Sequence, residues 1–142
     1  MEPGSSTACA VAVEEEESVV ITFDTGALIA LERGRDRMRR VFRAAEQMRM
    51  RIFVPAVVLA EWWRGRPPAR LRLLLDALTI EPIGKELGRL AGEAIAAIPQ
   101  ATAIDAIVMA CAAQRGGVVY TSDVEDLTRL SEHFRSVRVL QA

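Results

Sequence analysis

The chain has 142 residues, 51% of them hydrophobic, and a formal net charge of −1, which indicates one globular domain and excludes binding to nucleic acid through bulk charge alone. Its apolar runs are shorter than the roughly 18 to 20 residues that span a bilayer, and its two cysteines, Cys9 and Cys111, are too few for a disulfide framework. We therefore expect a reduced, cytoplasmic protein without membrane contact.

Charge is unevenly distributed along the chain. Residues 1–31 carry six acids and no base, residues 32–72 carry twelve arginines against four acids, and residues 73–142 have a net charge of −3. The basic middle third suits a polyanionic partner. Residues 1–17, with the acidic run at 14–17, are predicted to be a disordered tail, or sequence upstream of the true start, ahead of one domain over 18–142.

Short β-branched runs alternate with helical patterns from residue 18 onward. Strands are predicted at 18–23, 51–54, 79–82, 118–121 and 137–140. Helices are predicted at 27–32, 38–48, 55–64, 67–78, 87–98, 104–113 and 123–130. The third strand reads as an edge, since Pro82 has no backbone donor. This alternation predicts a single α/β domain with a parallel sheet covered by helices on both faces.

Four acids stand at the ends of these elements without a neighbouring base. Asp24 closes the first strand, and Asp123 follows the fourth. Glu61 and Asp105 each lie in an otherwise apolar helical segment. In an open parallel sheet, sites form beyond the carboxyl ends of the strands where strand order reverses, so Asp24 and Asp123 meet there if their strands are neighbours.

Carboxylates gathered in one place need a compensating charge. At about 5 Å each pair repels by roughly 3 kcal/mol at an effective dielectric constant of 20, and a hard divalent cation reverses that sign. Oxygen ligands without a nearby histidine favour Mg²⁺ or Mn²⁺ over Zn²⁺. The candidate chemistry is metal-dependent hydrolysis of a phosphodiester, with the arginine-rich middle third as a surface for a nucleic-acid backbone.

Asp24-Thr25-Gly26 also begins other kinds of active site. Aspartic proteases carry Asp-Thr-Gly, but they are all-β proteins, whereas helical patterns dominate this chain. A haloacid-dehalogenase-like phosphatase needs a second Asp two residues after the first, where this chain has Gly26. A response-regulator receiver needs an acid pair after the first strand and a Lys near the last, and both are missing from the sequence.

Four short motifs along the chain resemble those of PIN-domain proteins in their order and spacing. They are Asp-Thr-Gly-Ala-Leu from Asp24, Val-Leu-Ala-Glu ending at Glu61, Ile-Asp-Ala-Ile-Val-Met-Ala around Asp105, and Val-Tyr-Thr-Ser-Asp ending at Asp123. The chain most resembles VapC-type toxins of toxin–antitoxin pairs. The resemblance extends from about Val19 to Leu140, nearly the whole chain apart from the tail.

The resemblance implies a Rossmann-like sheet in the order 3-2-1-4-5 and endoribonuclease cleavage of a structured RNA such as tRNA or rRNA. It assigns Asp24, Glu61, Asp105 and Asp123 as catalytic acids that bind one or two Mg²⁺ or Mn²⁺ ions. Supporting roles fall to Thr25, Thr121 and Asp126. Family members often carry a further acid two residues after the one matching Asp123; this position is Glu125 here and an Asp follows at 126, so Glu125 and Asp126 are both candidates for a fifth acid. It also implies a homodimer and a small VapB-type antitoxin that inserts a basic side chain into the pocket.

Each site has a purely structural alternative. Asp24, Asp105 and Asp123 could cap helices, Asp105 together with Thr102, and Glu61 could pair with a neighbouring arginine. Trp62 and Trp63 could stack on RNA bases, but packing in the core or a dimer interface is the simpler prediction. Two further functions stay open: a PIN-like binding or assembly module without catalysis, and a nuclease directed at DNA or flapped structures.

Overall fold

The computed structural model describes residues 20–142 and contains one sheet of five parallel strands. The strands are β1 (Val20–Phe23), β2 (Ile52–Pro55), β3 (Thr79–Glu81), β4 (Gly117–Thr121) and β5 (Val137–Gln141). They lie in the order β3-β2-β1-β4-β5, which confirms the predicted order, the parallel pairing and the edge position of β3. The predicted acidic tail, residues 1–17, lies outside the described residues.

Within residues 20–142, seven α-helices connect the strands and cover the sheet. They are α1 (Thr25–Glu32), α2 (Asp36–Gln47), α3 (Ala56–Arg64), α4 (Ala69–Arg72), α5 (Lys85–Ala97), α6 (Ala103–Ala113) and α7 (Val124–Leu130). Most of their bounds fall within two residues of the predicted ones. No helix in residues 20–142 is long and apolar enough to cross a membrane.

The central strand explains the sheet order. All four residues of β1 are buried, as expected of a short apolar strand with neighbours on both sides. Ile21 is paired with Ile52 of β2 on one side and with Val118 of β4 on the other. Strand order therefore reverses between β1 and β4, and the carboxyl ends of these two strands lie next to each other.

Gly117 allows β4 to approach β1. It is paired with Val20 and has a φ of +131°, a backbone conformation that residues with a side chain rarely adopt. A Cβ at this position would lie 2.3 Å from the carbonyl oxygen of Val20. Glycine at the start of β4 is thus a requirement of the strand pairing that later brings Asp24 and Asp123 together.

The leucine-rich stretch before β3 differs from its prediction. A helix with one apolar stripe was expected over 67–78, but α4 has only four residues and continues as a 3₁₀ turn over Leu73–Ala77. Leu78 is already extended and leads into β3, while the side chain of Leu73 is 69% exposed. None of the residues in these two turns is buried, so the stretch lacks the buried apolar stripe that stabilises a longer amphipathic helix.

Helix α6 forms the centre of the core on one face of the sheet. Its first turn is capped by Thr102, whose hydroxyl accepts a hydrogen bond of 3.1 Å from the backbone N–H of Asp105. A continuous run from Val108 to Ala112 is buried, which confirms the prediction of a helix that is apolar nearly all round. Cys111 lies in this run, and burial raises the pKa of its thiol to about 12.

Candidate active site

Asp24 is the first residue after β1 and the only charged side chain buried among residues 20–142. Thr121 ends the neighbouring strand β4 and is fully buried. Its hydroxyl donates a hydrogen bond of 2.8 Å to Oδ2 of Asp24, and the backbone N–H of Thr25 donates one of 2.7 Å to Oδ1. Both oxygens of Asp24 are thus held by groups that the two strand ends fix in place.

Thr121 also fixes the position of Asp123. Its Oγ1 accepts a hydrogen bond of 2.9 Å from the backbone N–H of Asp123 while donating to Asp24. One buried hydroxyl therefore connects the loop after β1 with the loop after β4. Asp123 precedes α7 but makes no side-chain capping bond to it, so the structural alternative proposed for this acid does not account for its side chain.

Glu61, on α3, also lies beside the end of β1, because it contacts Thr25. The Thr25 hydroxyl donates a hydrogen bond of 2.6 Å to Oε1 of Glu61, so α1 and α3 are connected at this point. The next residue strengthens the same contact, because Nε1 of Trp62 donates a 2.9 Å bond to Glu32. Trp62 is buried and structural, whereas Trp63 is 41% exposed and lies against the guanidinium of Arg72.

The four acids line one open cleft of about 440 Å³ at the carboxyl edge of the sheet, hereafter the acid cleft. Asp126 lines it too, and its carboxylate is 3.3 Å from the guanidinium of Arg129. Glu125 is 93% exposed and does not line the cleft. Of the two candidates for a fifth acid, Asp126 is therefore the one at the site.

Four acids of the cleft form no ion pair of 4.0 Å or less within residues 20–142: Asp24, Glu61, Asp105 and Asp123. Residues 20–142 also contain no three Asp, Glu, His or Cys side chains placed as a ready metal-ligand set. The acids thus suit a hard divalent cation by their oxygen chemistry and by lining one cleft, but their side chains are not already arranged around a single point.

Comparison with known proteins identifies the family. The family model for the PIN domain matches residues 21–132, most of the chain. The chain belongs to the PIN-domain family. This confirms the predicted resemblance, and the five-stranded order is that expected of the PIN fold. No curated protein matches the chain in sequence.

Solved structures with the same fold include three complexes. VapBC2 from Rickettsia felis, bound to a DNA fragment from its promoter, has a TM-score of 0.72 at 13% identity. The match covers 87% of this chain and 99% of the chain in that structure. DNA-bound VapBC from Salmonella typhimurium has a TM-score of 0.65 at 17% identity, covering 87% and 98%. A toxin–antitoxin complex from Klebsiella pneumoniae has a TM-score of 0.66 at 21% identity, covering 82% and 94%. At these identities the likeness shows the shared fold.

Burial and the nearby negative charges raise the pKa of two acids in this PIN domain. Burial raises the pKa of Asp24, with smaller contributions from Asp123 and Glu61, while the hydrogen bonds from Thr121 and Thr25 oppose the rise. Burial also raises the pKa of Asp105, to about 6, helped by the negative charges of Asp24, Asp123 and Asp126. Both shifts indicate a site that ionises at a cost in free energy unless a cation is present.

Asp105→Asn is expected to stabilise the metal-free PIN domain above pH 6. The pKa of Asp105 is raised from 3.8 to about 6, so as pH rises the unfolded chain loses this proton first and the free energy of unfolding falls. The decrease in the free energy of unfolding is complete above the folded-state pKa. After allowance for partial exposure and for the lost helix-dipole interaction, the variant should gain about 1 kcal/mol at neutral pH. The gain develops between about pH 4 and pH 6, so urea unfolding in EDTA at about pH 4 and pH 7.5 measures it, and an equal gain at both values would contradict the explanation.

One contact at the site was not predicted from the sequence. Gly26, in the first turn of α1, packs against Ser122 so closely that a Cβ would lie 2.7 Å from the Cβ of Ser122 and 2.9 Å from its backbone nitrogen. Both residues line the acid cleft. Glycine within a helix costs roughly 1 kcal/mol relative to alanine, so its presence in the first turn was the available signal of a packing requirement.

Proposed function

We propose that this PIN domain is a metal-dependent endoribonuclease and the toxin of a type II toxin–antitoxin pair. The observation that supports the proposal is the acid cleft: Asp24, Glu61, Asp105 and Asp123 line one opening at the carboxyl edge of the sheet, together with Asp126. PIN domains are typically metal-dependent nucleases, and the structures of similar fold include a toxin–antitoxin complex. The proposed partners are a structured RNA, a VapB-type antitoxin and a second copy of the chain, in the cytoplasm.

The four acids would hold Mg²⁺ or Mn²⁺, since hard oxygen ligands suit these ions. When bound, such a cation supplies an activated water and stabilises negative charge on the phosphodiester. The chain's own contribution is orientation. Thr121 and the Thr25 backbone hold Asp24, the Thr25 hydroxyl holds Glu61, and the Thr102 cap fixes the turn that carries Asp105.

Cleavage of purified RNA tests the proposal directly. The full chain, freed of any co-purifying partner, is incubated with total tRNA and rRNA in Mg²⁺, Mn²⁺ or EDTA. We expect discrete fragments that EDTA abolishes and that Asp105→Asn no longer produces. The matched control is Asp76→Asn, which changes the same group at an exposed position away from the acid cleft and should cleave as the unmodified chain does.

Metal binding gives a second measurement that does not depend on finding the right RNA. Because a cation relieves repulsion among the acids only in the folded state, saturating Mn²⁺ should raise the melting temperature by several degrees. The rise should shrink in Asp105→Asn and persist in Asp76→Asn. An absence of both cleavage and metal stabilisation would instead favour a binding or assembly module. Cleavage of DNA or flapped substrates in preference to RNA would favour the third function.

A further inference from the structure

Gly26 and Ser122 touch each other just beyond the ends of β1 and β4. The two strands are still joined at Asp24, whose backbone N–H donates a 3.1 Å hydrogen bond to the carbonyl oxygen of Tyr120. From there one segment of the chain turns into α1, and the other becomes the loop that leads to α7. Gly26 lies in the first turn of α1, Ser122 begins the loop, and both residues line the acid cleft.

The contact leaves no space for a side chain at residue 26. A Cβ there would lie 2.1 Å from the hydroxyl oxygen of Ser122, 2.7 Å from its Cβ and 2.9 Å from its backbone nitrogen. The hydroxyl could rotate away, but the Cβ and the nitrogen move only with the loop. Because carbon atoms in contact are separated by about 3.5 to 4.0 Å, the loop would have to move by about 1 Å.

This requirement distinguishes Gly26 from most other glycines of the fold. Of the eight glycines in residues 20–142, only Gly26 and Gly117 have a Cβ position closer than 3.0 Å to another residue. Gly117 also has a positive φ, whereas Gly26 does not. An alanine would suit the backbone of α1 at this position and would favour the helix. The contact with Ser122 is therefore what requires glycine at residue 26.

The loop that Ser122 begins also carries Asp123. The carboxylate of Asp123 makes neither a hydrogen bond nor an ion pair within residues 20–142, so the backbone of the loop sets its position. Thr121 holds one side of the loop, because its hydroxyl accepts a 2.9 Å hydrogen bond from the backbone N–H of Asp123. Gly26, two residues after Asp24, supports the other side through Ser122.

We propose that the contact between Gly26 and Ser122 sets the distance between Asp24 and Asp123 and, through it, the affinity of the acid cleft for Mg²⁺ or Mn²⁺. The inference rests on the proposed nuclease function and adds two residues to those that orient the acids. Both are positioning residues, because they act through the place of Asp123 and not on the substrate. Glycine at residue 26 lets the loop lie close to α1, and a displacement of about 1 Å is enough to impair a functional site.

Gly26→Ala in the full chain tests this inference. Mn²⁺ binding is measured by calorimetric titration, RNA cleavage by initial rates, and folding by melting in EDTA. Because the added Cβ moves the loop and Asp123 with it, we expect Mn²⁺ affinity to fall about 10-fold or more and cleavage to slow by about 10- to 100-fold. The melting temperature in EDTA should fall by only a few degrees, as is usual for one added methyl group.

Gly92→Ala is the matched control for this variant. It makes the same change on α5, where a Cβ would meet nothing within 4 Å. Mn²⁺ affinity and the cleavage rate should each change less than about 2-fold, because the site is independent of the acid cleft. The melting temperature should rise slightly, since alanine favours a helix more than glycine does.

Variants of Ser122 separate the space that its side chain fills from the chemistry of its hydroxyl. Ser122→Gly in the Gly26→Ala chain removes the Cβ and the hydroxyl, so it should restore Mn²⁺ affinity and cleavage to within about 3-fold of the unmodified chain. Ser122→Ala in the same chain keeps the Cβ contact of 2.7 Å and should restore little. On its own, Ser122→Ala should slow cleavage far less than Gly26→Ala does, because the hydroxyl makes no hydrogen bond within residues 20–142.

The outcomes separate this inference from the nuclease function. If the unmodified chain cleaves RNA with Mn²⁺ but Gly26→Ala binds the ion and cleaves as Gly92→Ala does, the inference is wrong and the nuclease stands. It is also wrong if Ser122→Gly fails to rescue Gly26→Ala, or if Ser122→Ala alone is as slow as Gly26→Ala. If the unmodified chain neither binds Mn²⁺ nor cleaves RNA, the proposed function fails and this inference fails with it.

Discussion

Asp24→Asn is expected to lower the rate of metal-dependent RNA cleavage by about 10³-fold or more. Asp24 is the most buried of the four acids and the one whose two oxygens are both held by hydrogen bonds. Removing one unit charge about 4 Å from a cation costs roughly 4 kcal/mol at an effective dielectric constant of 20. That energy corresponds to about three orders of magnitude in affinity for the cation, and so in rate at a metal concentration that just saturates the unmodified chain. Initial rates of both chains at that Mn²⁺ concentration measure the loss.

The same substitution should leave the fold nearly as stable as before. Asparagine keeps one oxygen to accept a hydrogen bond but turns an NH₂ group toward the second donor, either Thr121 or the Thr25 backbone. That loss is offset by the removal of a buried charge whose pKa is raised by burial and by its acidic neighbours. Melting in EDTA should therefore shift by only a few degrees, and cleavage at the unmodified rate by the folded variant would exclude Asp24 from catalysis.

The sheet could be predicted from the sequence because its signals are local and consistent. The runs that became β1 and β4 are short, apolar and rich in β-branched residues, and each is followed by an acid. Parallel strands place such residues at one edge of the sheet, so the gathering of Asp24 and Asp123 needed only the two strands to be neighbours. Their pairing is now seen in the register of Phe23 with Tyr120.

Contacts between distant parts of the chain could not be predicted. Leucines at helical spacing over 71–78 indicated one helix, but none of the residues in its helical turns is buried and Leu78 is extended, so the apolar stripe does not pack as one helix face. The close approach of Gly26 to Ser122 joins residues almost a hundred positions apart, and nothing adjacent to either one specifies it. The orientation of α7 decided between Glu125 and Asp126, since only the second lines the acid cleft.

The roles assigned to the site residues stay predictions, and the arrangement around Thr121 provides the sharpest one after Asp24. Thr121→Val keeps the shape of the side chain but removes a hydroxyl that donates to Asp24 and accepts from the backbone of Asp123. Both groups lose a partner inside the fold, which costs about 1 to 3 kcal/mol of the free energy of unfolding. Because groups that orient metal ligands are typically worth 10- to 100-fold, we expect cleavage to slow by about that factor.

Thr121→Ser is the matched variant, because it removes only the methyl group and keeps the hydroxyl. It should retain most of the cleavage rate, and its stability should fall by no more than about 1 kcal/mol for the lost methyl contact. The two variants therefore separate the packing of β4 from the orientation of the acids. If valine and serine slowed cleavage equally, the hydroxyl would have no part in positioning Asp24 and Asp123. If only valine slowed it, the connection between β1 and β4 through one buried hydroxyl would be part of how the site is built.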